Sequence, residues 1–344
     1  MPCPDAPPSA TSARAACLGT ATVDRVLNGR GAVREETARK VAEAARQVGY
    51  PRLGPLSAAP PTVPEVRLGF VLLKEQQEFY QNFRREIEAA AAARADVRVR
   101  VHVRFCPSQA PDDLAREIAA AAEHAQAVAA TAVSHPALTG QVQALKERGL
   151  PVFALLNDFA QGVRQNYLGV NNLKVGRIAG WMMATAVRDP GRLALFVGSS
   201  RWHGHVLRET GFRSYLRERG PQFTVLDTLV NLETRKLTYE ATLDLIDRHA
   251  DLRGIYVAGG GMEGAIQALR EARPPGRIAL VVNEATAVSR AALTDGYVTL
   301  AIATPLAELC RATLEVMVRA VLEGPEPTMG QHFVEPQLHV PESV

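Results

Sequence analysis

The sequence predicts two kinds of fold in one chain: a small all-α headpiece, then an α/β two-lobed body of doubly wound parallel sheets. Three observations predict it. Residues 19–50 carry two short apolar patterns at helical spacing, parted by a glycine-bearing turn. From residue 65 onward, buried-strand and helix patterns alternate, as in parallel sheets covered on both faces. Between the two, residues 51–64 read PRLGPLSAAPPTVP, whose prolines at 51, 55, 60, 61 and 64 forbid most regular helix and leave a semi-extended linker.

In the headpiece, Val23, Val26 and Leu27 form the first apolar stripe, and Ala38, Val41, Ala42, Ala45 and Val48 form the second. Glu35 and Glu36 sit at the second helix start, where the positive end of the helix dipole favours acids. Residues 1–64 hold eight Lys+Arg against five Asp+Glu, which accounts for the whole formal net charge of +3. A module this small has little room for chemistry. It has the size to lay one helix in a DNA groove, and its positive excess is the sign a phosphate backbone requires.

Composition bounds the remaining classes. No apolar run approaches the ~18 residues that span a bilayer. The opening MPCPDAPPSATSARAA places prolines and an Asp where a secretory signal needs a basic segment and an apolar run, so a frayed arm on a cytoplasmic protein is expected. Cys3, Cys17, Cys106 and Cys310 lack C-x-x-C spacing, which argues against a zinc site and a disulfide framework.

The runs TATVDRVLNG (20–29) and VREET (33–37), followed by Ala44-Ala45 and Gly49-Tyr50, resemble the headpiece of LacI-family transcriptional regulators, whose pattern is T-V-S-R-V-L-N-G, V-x-x-x-T-x-x-x-V and A-A-x-x-L-G-Y. The resemblance implies a helix-turn-helix whose second helix, about residues 20–27, enters the major groove. By position, Thr20 and Ala21 stand where the family reads base edges, and Thr22, Arg25 and Asn28 where it touches bases and phosphates. Arg25 can donate two parallel bonds to a guanine edge, while Ala21 offers only methyl contact. The chain departs from the pattern at Asp24, where the family has Ser, and in its first helix, which must come from residues 12–18. After Tyr50 the family places a hinge helix that wedges a leucine into the minor groove. Here the Pro-rich linker, residues 51–65, takes its place, with Leu53 or Leu56 as the candidate wedge.

Along the body, VRLGFVLL (66–73) reads as a buried strand and residues 83–95 as a helix. VRVRVHVRF (97–105) alternates Val with Arg and His, the pattern of a solvated edge strand. Further helices are expected near 112–124, 136–148, 172–188, 204–219, 234–249, 262–272 and 286–294, with strands between them, one of them at 224–229. The body resembles the periplasmic-binding-protein-like effector domain of the same family. That implies one lobe from 66–158 plus 297–323 and a second from 159–294 plus 324–344. The ending VEPQLHVPESV is similar to the family's closing strand, with Pro341 in place of its arginine.

Ligands of open α/β sheets bind beyond the carboxyl ends of the strands. Phe79 and Tyr80 stand where the family has an aromatic pair facing the ligand, and flat rings suit the apolar face of a sugar. Asn157 and Asp158 follow a strand, and Asn171-Asn172 match a D-N pair opening a helix. Arg208 in RETGF matches the R-x-x-G-F arginine, whose fork can clamp hydroxyls or a carboxylate. Asn283-Glu284 end another strand where the family often places a ligand-binding acid. Ser199, Trp202 and His203 crowd the loop before Arg208. The expected effector residues are Phe79, Tyr80, His135, Asp158, Asn172, Trp202, Arg208 and Glu284. Two departures, GGGMEG after Ala258 where relatives have N-D and Ala303 where they have Gln, point to an unusual effector.

Gly259, Gly261 and Gly264 also satisfy G-x-G-x-x-G, with Glu284 about 20 residues on, as in a dinucleotide fingerprint. The motif comes after several βα units and without a catalytic constellation, so an NAD-dependent enzyme ranks last and no cofactor is expected. A solute-binding protein of a sugar transporter would share the body but has no use for the headpiece. The preferred reading is a cytoplasmic homodimeric regulator, bound to operator DNA and controlled by a small sugar-like effector.

Overall fold

The computed structural model describes residues 16, 18–27, 33, 35–48, 63–326 and 328–344. They divide into two compact units, Met1–Pro64 and Glu65–Val344. In the first, α1 (Thr20–Leu27) and α2 (Glu35–Gln47) pack through the expected stripes. Val23, Val26 and Leu27 are buried against Val41 and Ala45, with Leu18, Val33 and Ala38 half-buried around them. The Gly19 carbonyl accepts the Thr22 and Val23 N–H groups and starts α1. That burial turns Thr20, Ala21, Asp24 and Arg25 outward and leaves Thr22 half-buried. Asn28, Leu53, Leu56, most of 12–18 and the linker through 62 lie outside the described residues.

In the second unit, β1 (Glu65–Leu73), β2 (Arg98–Cys106), β3 (Ala127–Ala130), β4 (Val152–Leu155), β5 (Asn166–Val170) and β12 (Gly330–Val334) make one all-parallel sheet, in the order β12-β5-β4-β3-β1-β2. The second sheet runs β13-β11-β10-β9-β6-β7, from β6 (Gly191–Val197), β7 (Phe223–Val225), β9 (Leu252–Val257), β10 (Ala279–Asn283), β11 (Leu300–Ala303) and β13 (Gln337–His339). β8 (Leu229–Val230) pairs with β6, so the expected strand 224–229 is two short pieces on one neighbour. Only β13 is antiparallel in this sheet. β2 lies at the edge of the first sheet, where Arg98, Arg100 and His102 are exposed and Arg104 meets Glu117 at 2.7 Å.

Helices cover both sheets: α3 (Glu78–Ala92), α4 (Pro111–Ala122), α5 (Pro136–Glu147) and α11 (Leu306–Leu322) flank the first; α6 (Asn172–Ala186), α7 (His203–Arg219), α8 (Arg235–Arg248), α9 (Met262–Ala272) and α10 (Ala287–Thr294) flank the second. The expected lobe borders need correction. β5 and β12, both expected in the second lobe, belong to the first sheet, where Phe153 of β4 faces Asn166 and Gly330 of β12 faces Asn166 from the other side; β11, expected in the first lobe, belongs to the second sheet. The chain therefore crosses between sheets after β5, after β11 and between β12 and β13. Short apolar strands beside a crossover read alike in sequence; which neighbour they pair with is a tertiary choice.

Glycines let α6 and α7 touch. A Cβ on Gly176 would run into the Arg208 carbonyl, and one on Gly211 into the Leu173 carbonyl. Because both obstacles are backbone, neither can give way locally. Gly211→Ala is expected to cost about 3 kcal/mol of unfolding free energy from overpacking. An unchanged urea midpoint would refute this packing.

Candidate functional sites

Parallel strands of both sheets end around one cavity of about 550 Å³, a volume suited to a small ligand. Lys74 ends β1, Thr131 ends β3, Leu156 and Asn157 end β4, and Gly259 to Gly261 end β9; Asn283 and Glu284 end β10, and Thr304 ends β11. The backbone is strained here. Lys74, Leu156, Glu233 and Glu284 all line the cavity with φ between 47° and 71°, a region non-glycine residues enter only when their surroundings hold them there.

Six of the expected effector residues reach this cavity: Phe79, Tyr80, Asn172, Trp202, Arg208 and Glu284. Phe79 and Tyr80, on the first turn of α3, meet edge-to-face with centroids 5.2 Å apart. Burial, with Glu233 and Glu284 nearby, pushes the Tyr80 hydroxyl well up, so it stays neutral. Arg208 is buried; its Nε donates to Asn172 Oδ1 and its Nη1 to the Ala258 carbonyl, both at 2.7 Å. Asn172 in turn donates to the Tyr167 hydroxyl at 3.1 Å. Glycine 211 of the R-x-x-G-F pattern has its physical role here: the close approach of α7 to α6 brings Arg208 onto Asn172. The Glu284 carboxylate accepts the Thr304 hydroxyl and N–H at 2.8 and 2.9 Å, while burial raises it above the usual carboxylate range.

Two expected residues are elsewhere. His135 caps α5, its Nδ1 accepting the Ala137 N–H at 3.3 Å. Asp158 is closed off in a buried pair: Arg164 grips both carboxylate oxygens and also donates to the Gly330 carbonyl at 2.8 Å, and Gln331 donates to Asp158 Oδ2 at 3.0 Å. A strand-end acid with every oxygen engaged ties β12 to the first sheet instead of facing a ligand. Its neighbour Asn157 is the cavity residue. It donates to the Ala132 carbonyl and accepts the Gly204 N–H at 2.8 Å, joining the β4 end to α7.

A set around Glu233 has no sequence signal. Lys74 Nζ reaches Glu233 Oε2 at 2.7 Å, Gln109 Nε2 reaches the same oxygen at 3.0 Å, and the Gly260 N–H donates to Oε1 at 3.1 Å. Trp202 Nε1 donates to Gln109 Oε1 at 3.3 Å. Burial opposes ionisation of Glu233, but His205, Lys74 and the Gly260 N–H outweigh it and bring the carboxyl down to about 2. Burial also lowers His205 to about 4, leaving it neutral at pH 7. Its Nδ1 accepts the Gly198 N–H at 3.1 Å, so the proton sits on Nε2, 3.8 Å from Glu233 Oε1. The glycine run makes room for this set. A Cβ on Gly259 would strike the His205 ring, and Gly261, at φ 92°, caps α9 against Thr238.

The second candidate is the outer face of α1, where Thr20, Ala21 and Arg25 are exposed. The family model described as bacterial regulatory proteins, lacI family, matches residues 13–52, and the model of the periplasmic binding protein domain matches residues 68–326. The chain belongs to the lacI family of bacterial regulatory proteins. Its LacI-type architecture is a DNA-binding helix-turn-helix followed by a periplasmic-binding-protein-like body. No curated protein matches the chain significantly.

Among solved structures, the body of this LacI-family chain has the fold of transporter solute-binding proteins. One from Agrobacterium vitis bound with α-D-tagatopyranose is 21% identical, with a TM-score of 0.73, covering 80% of this chain and 95% of that one. One from Actinobacillus succinogenes 130z with bound D-allose is 16% identical, with a TM-score of 0.73 and coverages of 81% and 98%. One from Burkholderia graminis C4D1M in complex with D-arabinose is 15% identical, with a TM-score of 0.74 and coverages of 81% and 96%.

Proposed function

We propose that this LacI-family chain is a sequence-specific transcriptional regulator whose operator affinity responds to a small polar effector, a sugar or sugar derivative. The observation that carries the reading is that one chain combines the exposed Thr20, Ala21 and Arg25 of a helix-turn-helix with a strand-end cavity lined by aromatic rings and polar side chains. Solved proteins of the body's fold hold monosaccharides, which supports the effector class. The protein acts in the cytoplasm as a homodimer, one headpiece on each half of a near-palindromic operator. Among the described residues, no helix is long and apolar enough to cross a membrane, and no cluster of His, Cys, Asp and Glu is arranged to hold a metal ion. Both matched families are non-enzymatic. The effector acts by binding two conformations of the body unequally, since equal affinity would shift nothing. In the same frame, the contacts of Thr22, Asn28 and Leu56 with DNA are part of the proposal.

Arg25→Ala is expected to weaken binding to a selected operator by about 1–3 kcal/mol while leaving the body's melting temperature unchanged. Quantitative footprinting of wild type and variant measures this. Absence of sequence-selective binding by the wild type at every salt concentration would remove the regulator reading.

A further inference from the structure

The crossings between the two sheets all lie at one edge. Their strands are β12 and β5 at the end of the first sheet, and β13 and β11 at the end of the second. β1 and β2 make the opposite edge of the first sheet; β6, with β7 and β8, makes that of the second. Lys74 follows β1 and Gln109 follows β2, while Trp202 follows β6 and Glu233 follows β8. These four residues bond directly from lobe to lobe. Lys74 Nζ and Gln109 Nε2 reach Glu233 Oε2 at 2.7 and 3.0 Å, and Trp202 Nε1 reaches Gln109 Oε1 at 3.3 Å. Opening about the crossings separates this far edge most, so bonds placed here hold closure with the longest lever.

Each lobe fixes its own half of this set. Lys74 and Glu233 both hold left-handed backbone, at φ 47° and 55°, which persists only where the surroundings impose it. In the second lobe the Glu233 N–H donates to Asn231 Oδ1 at 2.9 Å, and Glu233 Oε1 accepts the Gly260 N–H at 3.1 Å. Asn231 is itself tied to Thr238 Oγ1 and the Gly260 carbonyl, both at 2.9 Å. In the first lobe the Lys74 carbonyl accepts the Gln77 N–H at 2.8 Å. Groups held this way lose little freedom when they meet. The ion pair is largely withdrawn from water, with side-chain exposures of 20% and 12%. Two further bonds join the lobes beside it: the Gly204 N–H donates to Asn157 Oδ1 at 2.8 Å, and the Ser134 N–H to the Arg201 carbonyl at 2.9 Å.

We propose that Lys74, Gln109 and Glu233 form a clasp that closes the cleft with the chain's own groups, so that the body is mostly closed in solution before any ligand binds. A ligand then enters only when the clasp opens, and the clasp sets the population that a ligand can shift. Single and double variants separate this role from plain packing. Removing one member of the pair strands the other charge in the closed cleft, whereas opening returns it to water, so Glu233→Gln and Lys74→Met each favour the open form. Removing both strands nothing, and the double variant returns toward the closed form.

Trp202 is a reporter built into the clasp. It is 4% exposed and bonded to Gln109, while the other tryptophan of the chain, Trp181 on α6, is 45% exposed. Trp181→Phe therefore leaves one indole, at the cleft. Acrylamide quenching of the full-length Trp181→Phe chain, with no sugar or DNA added, is expected to be weak. It is expected to rise at least about twofold in Glu233→Gln and in Lys74→Met, with circular dichroism unchanged, and to fall back in the double variant. Quenching of the parent chain at the level of a solvent-exposed indole would overturn the proposal. So would quenching unchanged in both single variants, or a double variant as strongly quenched as they are. If a single variant does not fold, Gln109→Ala decides, because it breaks the clasp without stranding a charge: quenching is expected to rise, and an unchanged value would overturn the proposal. Neither effector nor operator enters the measurement, so its outcome is independent of the regulator and sugar readings.

Discussion

Replacing Arg164 by alanine is expected to lower the unfolding free energy by about 3–5 kcal/mol. Arg164 and Asp158 are both buried, with side-chain exposures of 6% and 5%. Their attraction does little more than offset the cost of removing two charges from water. Deleting one partner, however, strands the other as an unpaired charge and also leaves the Gly330 carbonyl without its donor. The pair therefore makes the join between β12 and the first sheet expensive to break, without adding much net stability. A double variant, Arg164→Met with Asp158→Leu, is expected to recover most of the loss, because well-packed apolar groups tolerate the same burial. Urea unfolding of both variants measures it. A loss under about 1 kcal/mol in Arg164→Ala would mean that water reaches the pair.

Arg208→Ala is expected to abolish stabilisation by any effector. The guanidinium is buried and ties Asn172 of α6 to the Ala258 carbonyl before the glycine run, so one side chain sets the positions of two cavity walls. Its removal takes away a donor fork and leaves both acceptors unpaired, costing about 2–3 kcal/mol even without ligand. Arg208→Lys retains the charge but not the planar fork and is expected to restore little. The readout is thermal shift with a panel of neutral pentoses and hexoses: a shift that raises wild type and vanishes in both variants. A shift unchanged in Arg208→Ala would place the effector elsewhere.

Much of the fold was legible because it depends on local pattern. The stripe Val23, Val26, Leu27 predicts both the existence of α1 and which side turns outward, since helical period and burial together leave Thr20, Ala21 and Arg25 no other place. The alternation in β2 likewise identifies an edge strand, because an interior strand of a parallel sheet is apolar on both faces. The R-x-x-G-F pattern points to Arg208, for the glycine that admits α7 against α6 and the arginine it delivers lie three positions apart on one helix.

Asp158 and Glu233 show where such reading ends. Both are acids in loops, and sequence distinguishes them poorly. Asp158 was expected to face a ligand; Arg164, six residues on, closes over it. Glu233 lies in NLETRK with no motif, yet the fold carries Lys74 after β1 and Gln109 before α4 to its carboxylate, from 159 and 124 residues away. No local pattern encodes a meeting across that separation.

Sequence alone determined the module order, the helix that faces outward in the headpiece, the alternation of strands and helices, and the strand ends at which the cavity forms, because each follows from short-range periodicity and from the polarity of parallel strands. Only the tertiary structure decided which sheet receives β5, β11 and β12, and which acids are spent on internal pairs. Those outcomes rest on long-range pairing, where the cost of burying a charge is met by a partner brought from a distant part of the chain.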